Sequence, residues 1–146
     1  MTGTRPTYTT ANAPAAVGSY PHSRRVGDLL FLSGIGPRTP GSNLIPGNVH
    51  DDNGLLADYD ITAQCTQVFA NVRAVLQASD ATWTDLVDVT VYLTDMERDF
   101  PIYNRIWAEH FPDPATAPCR TTLGITALPT PIAIEIKCVA VAKPRT

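Results

Sequence analysis

The stretch PIAIEIKCVAVA, Pro131 to Ala142, decides how this chain is read. Alternation of period two and β-branched residues predict a strand over Ile132–Ala142. One face of it carries Ile132, Ile134, Ile136 and Cys138. The other carries Ala133, Val139 and Val141 together with Glu135 and Lys137. A strand that is apolar on both sides must be covered on both. Two questions follow: what supplies the second cover, and why an acid sits among these residues.

Moving back along the chain, APCRTTLG (Ala117–Gly124) opens a second strand, Arg120–Thr126, with an arginine near its start. LVDVTVYLTD sets Val87, Val89, Val91 and Leu93 against Asp88, Thr90, Tyr92 and Thr94, which is another strand. Between these two, a helix is expected from about Asp99. Pro101 would sit in its first turn, and its apolar side would be Tyr103, Ile106, Trp107 and Phe111. From Asp60 to Ser79 the apolar residues Ile61, Cys65, Val68, Val72, Val75 and Leu76 follow helical spacing. Asp60 is the expected N-cap, and Gln64, Gln67, Arg73 and Gln77 form the expected polar face. DLLFLSG (Asp28–Gly34) reads as a buried strand, and Pro37–Gly54 as a long loop or hairpin connection. Residues 1–20 read as extended and turn-rich.

The order is β-β-α-β-α-β-β in one domain spanning residues 1–146. It is an α+β arrangement with both helices on one face of the sheet. The simplest cover for the second face is another copy of the chain, in a closed homo-oligomer.

Composition narrows the function classes. The chain has 146 residues, 44% hydrophobic and 17% charged, enough for one core. Net charge is −3 and the 11 basic residues are scattered. No basic stripe marks a nucleic-acid partner. No apolar run is long enough to span a membrane, and the polar opening MTGTRPTYTT does not read as a signal peptide. Cys65, Cys119 and Cys138 lack the spacing of a disulfide framework or zinc site and read as buried cytoplasmic thiols. His22, His50 and His110 have no metal-ligand spacing. No metal site is expected from this spacing.

The charged residues in the apolar strands admit two readings. An ionised carboxylate is costly to bury alone, so Glu135 either pairs with Arg120 or Lys137, or sits at a wet edge, or is held for proton transfer in a desolvated cleft. On the last reading, Arg120 anchors a substrate carboxylate through its two-pronged guanidinium. Arg120 and Glu135 lie on the last two strands of the sequence, where they can line one cleft. Ser33-Gly34, after a buried strand, is either a turn or a small anion nest.

Six collinear segments carry a resemblance: NAPAAVGSY (Asn12–Tyr20), VGDLLFLSG (Val26–Gly34), ANVRAVLQASDATWTDLVDVTVYLTDM (Ala70–Met96), DFPIYNRIWAEHF (Asp99–Phe111), APCRTTLGITALP (Ala117–Pro129) and IAIEIKCVAVA (Ile132–Ala142). Over residues 11–142 the chain resembles the Rid (YjgF) family of reactive intermediate deaminases. The resemblance implies a chorismate-mutase-like α+β fold in a homotrimer, or a hexamer, with a barrel-like core and clefts between subunits. It places the family's carboxylate-binding arginine on Arg120 and its strand acid on Glu135. The cleft serine and glycine fall on Ser33 and Gly34, the loop tyrosine on Tyr20 and the helix asparagine on Asn104. Many members carry a cysteine where this chain has Thr122. The implied chemistry is cofactor-independent hydrolysis of a carboxylate-bearing enamine or imine to an oxo acid and ammonia.

Within the family, GSYPHSRRVGDLLFLSG, with its Tyr20-Pro21-His22 step, and the extended loop look most like the 2-aminomuconate deaminase branch of aromatic catabolism. A dicarboxylate needs a second cation, for which His22, Arg24 or Arg38 are candidates and Arg38 is the choice. The alternatives are a general deaminase of 2-aminoacrylate type and a non-catalytic small-acid-binding trimer.

Overall fold

In the computed structural model, which describes residues 6–144, most of the chain folds around one six-stranded sheet. Residues 1–5 of the polar opening lie outside the described residues. The strands are β1 (Thr7–Tyr8), β2 (Ser23–Val26), β3 (Leu29–Leu32), β6 (Leu86–Leu93), β7 (Cys119–Gly124) and β8 (Ile134–Val141), in spatial order β1-β2-β3-β8-β6-β7. A separate two-stranded hairpin, β4 (Val49–His50) with β5 (Leu56–Asp58), occupies the expected long loop. Helices α1 (Ile61–Ala78) and α2 (Met96–His110) complete the fold. Only the β6–β7 pair is parallel, as the crossover through α2 requires. Gly27, at φ +60°, opens the two-residue turn that joins β2 to β3.

Both helices cover the same face of the sheet. Leu30 and Leu32 of β3, Val89, Val91 and Leu93 of β6, and Ile134, Ile136, Cys138 and Ala140 of β8 point at them and are buried. The predicted stripe of α1 meets these residues, and Asp60 caps the helix by accepting from the Thr62 and Ala63 N–H groups.

Five expectations of the fold change. Three strands of the sheet and the β4–β5 hairpin precede α1, where two strands were expected. Gln64 is not on a polar face; it is fully buried. Its Oε1 accepts from Ala133 N and its Nε2 donates to Asn48 Oδ1, so the amide is satisfied inside the core. Helix α2 starts at Met96, capped by Asp95, so Pro101 lies in the second turn rather than the first. A bulge between Leu86 and Asp88 turns Val87 outward, while Leu86 takes the core position. The last two strands are each displaced by one or two residues. Strand β8 begins at Ile134 because Ala133 N is already held by Gln64, and β7 begins at Cys119.

The other face of the sheet is open. Leu29 lies opposite Val141 and Phe31 opposite Val139, and Leu29, Phe31 and Val141 are exposed. Leu123, two strands from β8, is exposed on the same side. The apolar second face read from the final strand is therefore present and uncovered in one copy of the chain.

Candidate functional site

Past the end of β3 the chain continues alongside β8. Ile35 N donates to Ile136 O at 2.8 Å and Ile136 N to Ile35 O at 2.9 Å. This pairing presses Gly34 onto Glu135: a Cβ at Gly34 would lie 2.8 Å from Glu135 Oε2. The glycine therefore lets the carboxylate keep this position.

Tyr20, Ser33, Gly34, Pro129, Glu135 and Lys137 line an open cleft of about 390 Å³. Glu135 is half-buried, and burial raises its carboxyl above the usual carboxylate range. Among the described residues it forms no ion pair and accepts no hydrogen bond, so pairing with Arg120 or Lys137 is not what holds it. Lys137 donates instead to Leu32 O at 2.8 Å. Ser33 has both its donors engaged, its N–H on His22 O at 3.0 Å and its hydroxyl on Pro21 O at 2.7 Å. The hydroxyl oxygen remains as an acceptor, while the Gly34 N–H has no partner among the described residues. Tyr20 is 43% exposed, and its hydroxyl accepts from Val17 N at 3.3 Å.

The candidate second cations differ in availability. His22 is buried, its Nδ1 accepting from Thr10 N at 3.1 Å and its Nε2 donating to Pro14 O at 2.7 Å. Both ring nitrogens therefore tie down the N-terminal loop. Arg38 donates to Ala15 O and borders a second groove with Gly36, Thr130 and Glu135. Arg24 is exposed on β2.

Arg120 stands elsewhere. It is in register with Val89, whose side chain faces the helices, and Glu135 is in register with Tyr92 on the other side. The expectation that the last two strands bring Arg120 and Glu135 to one cleft therefore fails within a single copy. Strand β6 intervenes, and the two side chains leave opposite faces. Arg120 lies over the rings of Trp107, Tyr103 and Phe100, at 5.0, 5.4 and 5.9 Å from their centroids. The hydroxyls of Tyr103 and Thr122 are buried nearby without hydrogen-bond partners. Asn104 is exposed on α2, within one turn of Phe100 and Trp107.

Sequence reasoning placed Lys137 on the Glu135 face only as a candidate ion-pair partner, with no part in binding. It treated Tyr103 and Trp107 as core, although their rings also form the bed under Arg120. Aromatic residues at i, i+3 and i+7 on α2, opposite an arginine, were the available signal for that bed.

A family model described as Endoribonuclease L-PSP matches residues 10–142. The chain belongs to the Rid (YjgF) family. Rid relatives include Reactive Intermediate Deaminase A, chloroplastic, of Arabidopsis thaliana, 36% identical over 131 residues. That match covers 90% of this chain but only 63% of the plant protein's length. A RutC family protein of Synechocystis is 36% identical over 132 residues, covering 90% of this chain and 92% of that protein. Among solved structures, E. coli TdcF with bound serine superposes with a TM-score of 0.80 at 27% identity, covering 95% of this chain and 100% of that one. The two helices on a mixed sheet are the chorismate-mutase-like fold of Rid proteins. No helix among the described residues is long and apolar enough to cross a membrane.

Proposed function

We propose that this chain is a deaminase of carboxylate-bearing enamines and imines, acting in clefts that two copies of the chain build together. The observation that carries this reading is the placement of Arg120 and Glu135 on opposite faces of one sheet, with the Glu135 face apolar and uncovered. A second copy seated on that face, in a homotrimer or a hexamer built from it, buries the apolar patch and brings an Arg120 to a neighbour's Glu135.

The chemistry needs only an anchor and a proton carrier. Arg120 takes the substrate carboxylate in a paired hydrogen bond, and the Gly34 N–H supplies a further donor. Glu135, whose burial favours the protonated form, gives its proton to the enamine carbon and yields an iminium. The resulting carboxylate removes a proton from water as the water oxygen bonds to the iminium carbon. Glu135 passes that proton to the carbinolamine nitrogen; the C–N bond breaks, the hydroxyl gives its proton back to Glu135 as it becomes the carbonyl, and ammonia and the oxo acid are released. Proton transfer by a positioned carboxyl contributes about 10²–10⁴-fold, and holding the substrate adds to it. Tyr20 and Asn104 close the two ends of the cleft, and Thr122 stands beside the anchor where many relatives have a cysteine.

Among such substrates we place 2-aminomuconate first, on the Tyr20-Pro21-His22 step and the extended loop carrying β4 and β5. The curated plant relative named for reactive intermediates favours a second reading, a broad deaminase of 2-aminoacrylate type. A net charge of −3 with scattered basic residues argues against RNA as the substrate. Three free cysteines suit the reducing cytoplasm.

The test is ammonia release from each enamine generated in situ, against its uncatalysed decay. Acceleration by wild type, a raised KM in Arg120→Ala and a lost kcat in Glu135→Ala support the reading. Turnover that survives in Glu135→Ala refutes the mechanism.

A further inference from the structure

Lys137 is the cation closest in sequence to Glu135, two residues along the same strand and on the same face. Both line the same cleft. Its ammonium has three donors, and only one is engaged, on Leu32 O. It forms no ion pair with any described residue. A lysine held by a backbone carbonyl and left without an acid, in a cleft whose other charged group is Glu135, offers two N–H groups to an anion. Arg38 likewise donates to one backbone carbonyl, Ala15 O, but it lines an adjoining groove that shares Tyr20, Gly34, Pro129 and Glu135 with this cleft, whereas Lys137 lines the cleft itself.

We propose that Lys137 is the specificity residue of this cleft, binding a second carboxylate and selecting extended dicarboxylates over monocarboxylates. The inference rests on the deaminase reading for the identity of the site. An Arg120 from a neighbouring copy takes the carboxylate beside the amine-bearing carbon. Glu135 works at the reacting carbons, and Lys137, about 6.6 Å further along β8 by strand rise, takes the far carboxylate. Lys137 is exposed in one copy of the chain, and its pairing with a carboxylate is a charge-assisted hydrogen bond, of the kind that changes affinity by roughly tenfold.

The decisive comparison uses two stable ligands of equal chain length, muconate and sorbate, which differ only in that sorbate has a methyl group in place of one carboxylate. Titration calorimetry on the full-length wild-type assembly is expected to show muconate bound roughly tenfold more tightly than sorbate. Lys137→Met should erase that preference while leaving sorbate affinity in place, and Lys137→Arg should restore most of it. Equal affinity in wild type, binding of neither ligand, or a preference that survives in Lys137→Met overturns the assignment. So does loss of the preference in Arg38→Ala with retention in Lys137→Met. Turnover of 2-aminomuconate and 2-aminoacrylate is measured alongside. Absence of both overturns the deaminase reading, whereas the ligand comparison decides the role of Lys137 by itself.

Discussion

Arg120 and Glu135 leave opposite faces of a single sheet, separated by strand β6. One is bedded on the aromatic side of α2, and the other is set in a cleft on the uncovered face. Any chemistry that uses both requires a second copy of the chain.

The contact between Gly34 and Glu135 makes a sharp substitution test. A methyl group at Gly34 would meet Glu135 Oε2 at 2.8 Å and Cδ at 3.0 Å. The obstructed atoms are the end of a flexible side chain, so the carboxylate moves and the fold stays. Gly34→Ala should lower kcat by about 10²-fold, the scale of lost general acid–base help. Its melting temperature should stay close to wild type. A fully active Gly34→Ala would show that the position of the carboxylate is unimportant.

Burial raises the Glu135 carboxyl above its usual range. The pH–rate profile should therefore carry a limb above the ordinary carboxylate value that disappears in Glu135→Gln. The stability consequence has a definite sign. The native protein holds this proton more tightly than the unfolded chain does, so the group's contribution is present below the ordinary value. It is lost as pH rises through the raised one. Chemical denaturation across that interval should show Glu135→Gln gaining stability over wild type as pH increases.

The buried amide of Gln64 bridges helix, loop and hairpin connection through Ala133 N and Asn48 Oδ1. Gln64→Ala leaves both groups unpaired and opens a cavity. Urea unfolding should show a loss of about 2–4 kcal/mol. A loss below about 0.5 kcal/mol, the range of surface substitutions, would contradict the assigned contacts.

Thiol chemistry separates the three cysteines. Burial pushes Cys65 and Cys138 up to about 12, whereas Cys119, expected to be buried like them, is exposed on β7 beside Arg120. A disulfide-exchange reagent should find no thiol but Cys119 in the native protein, and Cys119 should be slowed as copies associate over the open face. Rapid reaction of Cys65 or Cys138 before unfolding would contradict the core described above.

Much of this was legible in the sequence. The 3.6-residue stripe of α1, its Asp60 cap and the two apolar faces of β8 depend on near neighbours, which the chain order displays. What was hidden depends on tertiary choices. Gln64 looked solvent-facing because its partners lie 16 and 69 residues away. The bulge at Val87 interrupts an alternation that the letters continue. The sides taken by Arg120 and Glu135 could not be compared from parity alone. Strand β6, earlier in the chain, is inserted between β7 and β8, and its registers with both decide which face each residue joins.

The most direct test of a cleft shared between copies is complementation. Arg120→Ala chains, weakened in substrate binding, and Glu135→Ala chains, without turnover, are unfolded, mixed in equal amounts, refolded together and assayed at substrate far below the KM of Arg120→Ala. If each cleft joins the Arg120 of one copy to the Glu135 of another, about a quarter of the clefts in the mixture carry both native side chains by random association. Deaminase activity should return to about that fraction of wild type. A mixture no more active than its two parents would contradict the account.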